Sequence, residues 1–73
     1  MKALIIVAHG SKLQSSNDEI RNIVFKIKES LQDDKLIVLS SFLELAEPSI
    51  FVSAIEAINQ GCKNIKFFPY FLA

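Results

Sequence analysis

Residues 3–8 (ALIIVA) form an unbroken apolar run that stops at His9-Gly10-Ser11-Lys12. Continuous aliphatic and β-branched runs without polar alternation mark strands buried on both faces of a parallel sheet. A strand of that kind needs helices above and below it, which restricts the chain to an α/β layer arrangement. The run also delivers an imidazole to the strand's carboxyl end, where open parallel sheets put their ligands. His9 is the only histidine in the sequence, so any imidazole chemistry must use it.

The rest of the pattern reads strand, helix, strand, helix, strand. The first strand covers 2–8 and a loop covers 9–15. Ser16 and Glu19 have the spacing of a capping box, with Asn17 and Asp18 filling the first turn. Ile20, Ile23, Val24, Ile27 and Leu31 then recur on one face of a 3.6-residue period, and Gln32-Asp33-Asp34 ends the helix. The second strand is predicted over 35–43 and a short loop over 44–47. Pro48 fits a first helical position, where its missing N–H is not needed. Phe51, Ile55 and Ile58 line one apolar face of the second helix, and Gly61 fits a left-handed stop. The third strand is predicted over 64–70, with Pro69 at its end because it cannot donate to a ladder.

Right-handed crossovers then give a three-stranded parallel sheet of order 2-1-3, β-α-β-α-β, with helices on both faces. The carboxyl ends of strands one and three flank the switch point. His9 lies on one side of that crevice and Phe71, Leu72 and Ala73 on the other, while Glu44 and Glu47 arrive from the end of strand two. Residues 1–73 read as one partial domain that stops after the third strand. Phe67, Phe68, Tyr70, Phe71 and Leu72 make a dense apolar edge, which predicts homo-oligomers or other pairing through the third strand.

Composition excludes several classes. Eight basic residues balance eight acidic ones, and no basic stripe appears, so nucleic acid is not an expected partner. No apolar run reaches the length of a membrane span, so no membrane partner is expected. Met1-Lys2 lead straight into strand pattern without a signal-peptide cleavage region, and a cytoplasmic location is the expectation. The single cysteine, Cys62, forms neither an internal disulfide nor a thiolate cluster and reads as a small packed residue. At 73 residues, 51% of them apolar, and with a mean hydropathy of +0.34, the chain is too apolar for disorder. A chain this short buries only about 60% of its unfolded surface.

The loop after the first strand combines complementary chemistry. A neutral imidazole binds a divalent transition metal or accepts a proton near neutral pH. Gly10 permits a sharp turn, and Ser11 offers a hydroxyl and a backbone N–H. Lys12 supplies a mobile positive charge suited to carboxylates or phosphates, and the following helix N-terminus also favours anions. Plainer readings stand beside these. A lone histidine at a sheet rim is often just a polar residue there, Lys12 alone is a solvated charge, and Glu47 before Pro48 complements a helix dipole.

Three segments, LIIVAHGSK, SFLELAEPSI and GCKNIKFFPYFLA, in this order and spacing resemble the small sirohydrochlorin metal chelatases, the class II cobalt, nickel or iron chelatases of the CbiX type. The resemblance runs over the whole chain and covers the first part of a family domain of chelatase-like (flavodoxin-like) fold. It implies insertion of Co2+, Ni2+ or Fe2+ into a polycarboxylated tetrapyrrole, the metal being a substrate and no organic cofactor being needed. His9 matches the family histidine that binds the incoming metal and takes a pyrrole N–H proton. Glu47 matches the substrate-contacting glutamate before the helix-starting proline. Leu72 and Ala73 match the start of a macrocycle-contacting loop. Ser11 and Lys12 join them as expected substrate contacts, and Glu44 is a second candidate metal ligand. Cobalamin and sirohaem synthesis share the precursor.

Two departures accompany the resemblance. Lys12 stands where the family has arginine, which keeps the charge and loses the forked geometry. The family's second metal-binding histidine follows the FLA segment, after the last residue of this sequence, so low activity is expected of these residues alone. The alternative is a non-catalytic fragment or interaction module of the same fold. A histidine phosphatase or phosphoglycerate mutase would need arginine where Ala8 stands. A flavodoxin-like phosphate binder would need a richer glycine cradle than Gly10 provides.

Overall fold

The computed structural model describes residues 1–71. β1 (Lys2–Ala8), α1 (Gln14–Leu31), β2 (Leu36–Phe42), α2 (Ile50–Asn59) and β3 (Asn64–Pro69) follow one another in the expected alternation. The three strands are parallel in the order β2-β1-β3. β1 pairs with β2 from Lys2↔Leu36 to Ala8↔Phe42, and with β3 from Lys2↔Asn64 to Val7↔Pro69. Pro69 closes β3, where no further ladder donor is required. Tyr70 lies just beyond the strand, and its N–H still donates to the Val7 carbonyl at 2.7 Å.

Alternation along β1 sends side chains to two cores. Ile6 packs with Val38 and with Val24 of α1, supported by Leu4, Ile20, Ile27, Leu36 and Tyr70. Ala3 packs with Ala57 of α2 and with Cys62, supported by Ile37, Leu39 and Ile65. The helices therefore cover opposite faces of the sheet, as the uninterrupted apolar run of β1 requires.

Both helices begin differently from the sequence expectation. The capping box of Ser16 and Glu19 does not form. α1 starts at Gln14 with Leu13 as its N-cap and no side-chain cap bond. The reason lies one step earlier: the Ser11 hydroxyl accepts the Leu13 N–H at 3.0 Å, and the Leu13 carbonyl accepts from Ser16 and Asn17. The turn that launches the helix is thus built by Ser11, and Ser16 falls inside it. At the second helix, Ser49 is the N-cap and its hydroxyl accepts the Val52 N–H at 3.2 Å. Pro48 therefore lies outside the helix instead of at its first position.

The apolar face of α2 also differs in its destination. Phe51, Ile55 and Ile58 are exposed, Phe51 at 73%. Ser53 and Ala57 are fully buried instead. Small side chains let the helix backbone approach the sheet closely, and the Ser53 hydroxyl donates to the Ser40 carbonyl at 2.9 Å. Gly61 ends α2 as expected, with φ of +88°. Its N–H bonds the Ile58 carbonyl and the Cys62 N–H bonds the Ala57 carbonyl, the paired bonds of a Schellman stop. Among the described residues, no helix is long and apolar enough to cross a membrane.

The inverted packing of α2 gives a direct test. Enlarging Ala57 to leucine is expected to cost about 1–3 kcal/mol by overpacking. Removing most of the side chain in Ile55→Ala is expected to stay within about 0.5 kcal/mol. Urea midpoints at constant slope measure both, and the opposite ranking would show that the large residues face the sheet.

Candidate functional site

β1 releases the chain at Ala8, and His9 emerges exposed at the carboxyl rim of the sheet. Its imidazole rests against the Phe71 ring, with centroids 4.8 Å apart and planes inclined at 48°. The end of β1 and the segment after β3 therefore meet, as the 2-1-3 order anticipates. Beside this contact a cleft of about 230 Å³ lies between the rim and α1, lined by Ala8, His9, Gly10, Ser11, Ser16, Asn17, Glu19, Ile20, Tyr70 and Phe71. Enclosed small-molecule pockets usually span about 300–1,000 Å³, so this cleft is too small to enclose a large ligand.

The backbone around His9 is held by the loop after β2. The His9 carbonyl accepts the Glu44 N–H at 3.1 Å, and the Ala8 carbonyl accepts the Leu43 N–H at 2.9 Å. Gly10 has φ of +92°, and a Cβ there would overlap the Glu44 carbonyl oxygen. Glycine is therefore required twice at this position, by its dihedral and by the close approach of a second chain segment.

The other expected residues occupy different places. Ser11 lines the cleft, but its hydroxyl is already engaged by the Leu13 N–H. Lys12 is exposed and outside the cleft lining. Glu44 and Glu47 are exposed and do not line the cleft. Glu47 borders a separate hollow of about 460 Å³ with Leu45, Ala46, Pro48, Ser49 and Val52. Its carbonyl accepts from Arg21 at 2.8 Å. Leu72 and Ala73 lie outside the described residues. Among the described residues, no group of three or more His, Cys, Asp or Glu side chains converges on a metal position. His9 is then the imidazole donor available at this rim.

Two cleft residues escaped the sequence reading. Glu19, which has capping-box spacing, instead lines the cleft from the second turn of α1. Asn17 is more than first-turn filler: it is 3% exposed and bonds Ser11 with both ends of its carboxamide. The available signal was an amide on the stripe that continues through Ile20 and Val24, where an apolar side chain is the usual occupant.

Known proteins match this chain over most or all of its length. The sequence model of the CbiX family matches residues 3–73. A sirohydrochlorin cobaltochelatase of Methanocaldococcus jannaschii is 38% identical over 73 residues, covering 100% of this chain and 50% of that protein. One of Methanococcus aeolicus is 37% identical, with the same 100% and 50% shares. A chloroplastic sirohydrochlorin ferrochelatase of Arabidopsis thaliana is 38% identical over 69 residues, covering 94% of this chain and 30% of that protein. The chain thus spans about half the length of the archaeal relatives it matches.

The two positive-φ glycines separate dihedral strain from steric exclusion. At Gly61 nothing lies within 4 Å of an added Cβ, so Gly61→Ala is expected to cost about 1–2 kcal/mol from the dihedral alone. Gly10→Ala adds the Glu44 overlap and is expected to cost more than Gly61→Ala in urea midpoint. Equal losses would show that the Glu44 loop yields freely.

Proposed function

The chain belongs to the CbiX family, and on that premise we propose that the protein it represents inserts a divalent metal, Co2+, Ni2+ or Fe2+, into sirohydrochlorin. The carrying observation is the exposed His9 imidazole at the carboxyl end of β1, resting against Phe71 at the edge of a cleft beside the switch point of the sheet. The relatives support this substrate class: the archaeal proteins are sirohydrochlorin cobaltochelatases and the plant protein is a sirohydrochlorin ferrochelatase.

In this reading the metal is a substrate. A Lewis-acidic cation competes with protons for the pyrrole nitrogens, and a nearby base must remove those protons. An exposed neutral imidazole serves both needs, first as a nitrogen donor to the incoming ion and then as acceptor of a pyrrole proton. The Phe71 ring gives the macrocycle an apolar surface beside that donor. Lys12 and the Ser11 loop offer positive charge and backbone donors to substrate carboxylates at the mouth. Glu44 and Glu47 lie outside the His9 cleft, so their proposed roles at metal and substrate rest on the family resemblance and not on this geometry. Leu72 and Ala73, outside the described residues, are proposed as substrate contacts on the family resemblance alone. Residues 1–73 contribute the histidine-bearing part of the proposed site.

The test is anaerobic insertion of Co2+ into sirohydrochlorin by the full protein, followed by absorbance. His9→Ala is expected to lower kcat at least about 100-fold, the range lost with a positioned general base, without moving the urea midpoint. An unchanged insertion rate would eliminate His9 as ligand or base.

We also propose self-association through the outer edge of β3. Phe67 and Phe68 are about half exposed on its two faces, beside an edge that pairs with no further strand among the described residues. Sedimentation of the 73-residue chain is expected to show dimers or larger species that Phe67→Lys with Phe68→Lys converts to monomer. A wild-type monomer across the concentration range would refute the pairing.

A further inference from the structure

His9 sits on a loop that no sheet ladder holds, and yet site chemistry needs its ring fixed to within a fraction of an ångström. The Glu44 N–H holds the His9 carbonyl directly, and the side-chain bonds that hold the two loops themselves come from one face of α1. Asn17 is nearly fully buried. Its Oδ1 accepts the Ser11 N–H at 3.0 Å and its Nδ2 donates to the Ser11 carbonyl at 2.8 Å. One side chain thus pins both backbone groups of the residue two positions after His9. Arg21, one turn further along the same helix face, reaches the other loop. Its Nη2 donates to the Glu47 carbonyl at 2.8 Å while its Nη1 pairs with Asp18 at 2.9 Å. Its guanidinium stacks 5.1 Å over the Phe42 ring, at the last residue of β2. The two loops then meet directly through the Glu44 N–H and His9 carbonyl and the contact at Gly10.

We propose that Asn17 and Arg21 form a two-residue clamp on α1, positioning the His9 loop and the 44–48 loop against each other for the reaction proposed above, on which the catalytic arm of this inference rests. Neither residue reaches substrate as a catalytic group; both act through the backbone they hold. A helix-capping role does not account for them. The N-cap is Leu13, and both side chains bond to segments outside the helix. Val24 continues the same face into the core, so it provides a control that perturbs the helix seat without touching either loop.

The experiment compares Asn17→Ala, Arg21→Gln, Arg21→Lys and Val24→Ala in the full protein. It reads kcat and KM for Co2+ insertion, the urea midpoint, and the His9 ring 1H–13C NMR peak, assigned by its loss in His9→Gln. Asn17→Ala and Arg21→Gln are expected to lower kcat by roughly 10- to 100-fold, the scale of a misplacement near 1 Å, and to shift or broaden the His9 peak. Val24→Ala is expected to lose stability with wild-type kcat and an unmoved peak. Arg21→Lys, which keeps one donor for the Glu47 carbonyl, is expected to recover part of the loss. Activity falling in Val24→Ala as in Asn17→Ala, or an unmoved His9 peak in both Asn17→Ala and Arg21→Gln, would overturn the clamp. Should Asn17→Ala not fold, Arg21→Gln carries the comparison, because the Arg21 side chain is 35% exposed. Should the wild type insert no metal, the chelatase reading fails and the His9 peak alone decides the clamp.

Discussion

The pairing of β1 on both edges is the constraint from which the rest of the molecule follows. Ile5, Ile6 and Val7 are almost completely buried, each contributing roughly 1.5–3 kcal/mol of transfer free energy. Parallel neighbours on both sides leave β1 no freedom to slide. A slip of one residue against β2 would exchange the two cores, placing Ile6 toward α2 and Ala3 toward α1. It would also part the His9 carbonyl from the Glu44 N–H. Core packing and site geometry are therefore set by the same register, and the rim cannot rearrange without breaking the sheet.

What grows from that rim is a site made mainly of backbone restraint. His9 supplies the imidazole, Phe71 supplies an apolar wall, and most of the remaining interactions hold loops in place. Gly10 admits the Glu44 carbonyl, Ser11 starts α1, Asn17 pins Ser11, and Arg21 reaches Glu47. Under the proposed metal insertion, the difficult chemistry belongs to the macrocycle and the ion, and the role left to the protein is to present one base and donor in a fixed direction.

α2 shows how packing distance overrides hydrophobicity. A helix lying close on a sheet needs small residues at the contact, and Ser53 and Ala57 meet that need, the former with a hydroxyl bond to the Ser40 carbonyl. The larger apolar residues are then displaced to the outer side. Periodicity alone does not reveal this, because Phe51, Ile55 and Ile58 and the pair Ser53 and Ala57 both recur at helical spacing. The same limitation applies at α1, where Ser16 and Glu19 satisfy the spacing of a capping box but Ser11 had already taken the Leu13 N–H.

Residue order is enough to fix the alternation of elements, the strand order and the placement of His9 opposite the end of β3. Those features depend on local periodicity and on the chirality of parallel crossovers, both of which are written in residue order. The stops at Pro69 and Gly61 belong with them, since each follows from the residue's own backbone limits. Folding alone reveals which face of α2 is buried, that Glu19 lines the cleft, and that Asn17 and Arg21 bond two loops distant in sequence. Such facts depend on how closely one element approaches another and on which hydrogen-bond partner arrives from elsewhere in the chain. Neither quantity is a property of any single segment.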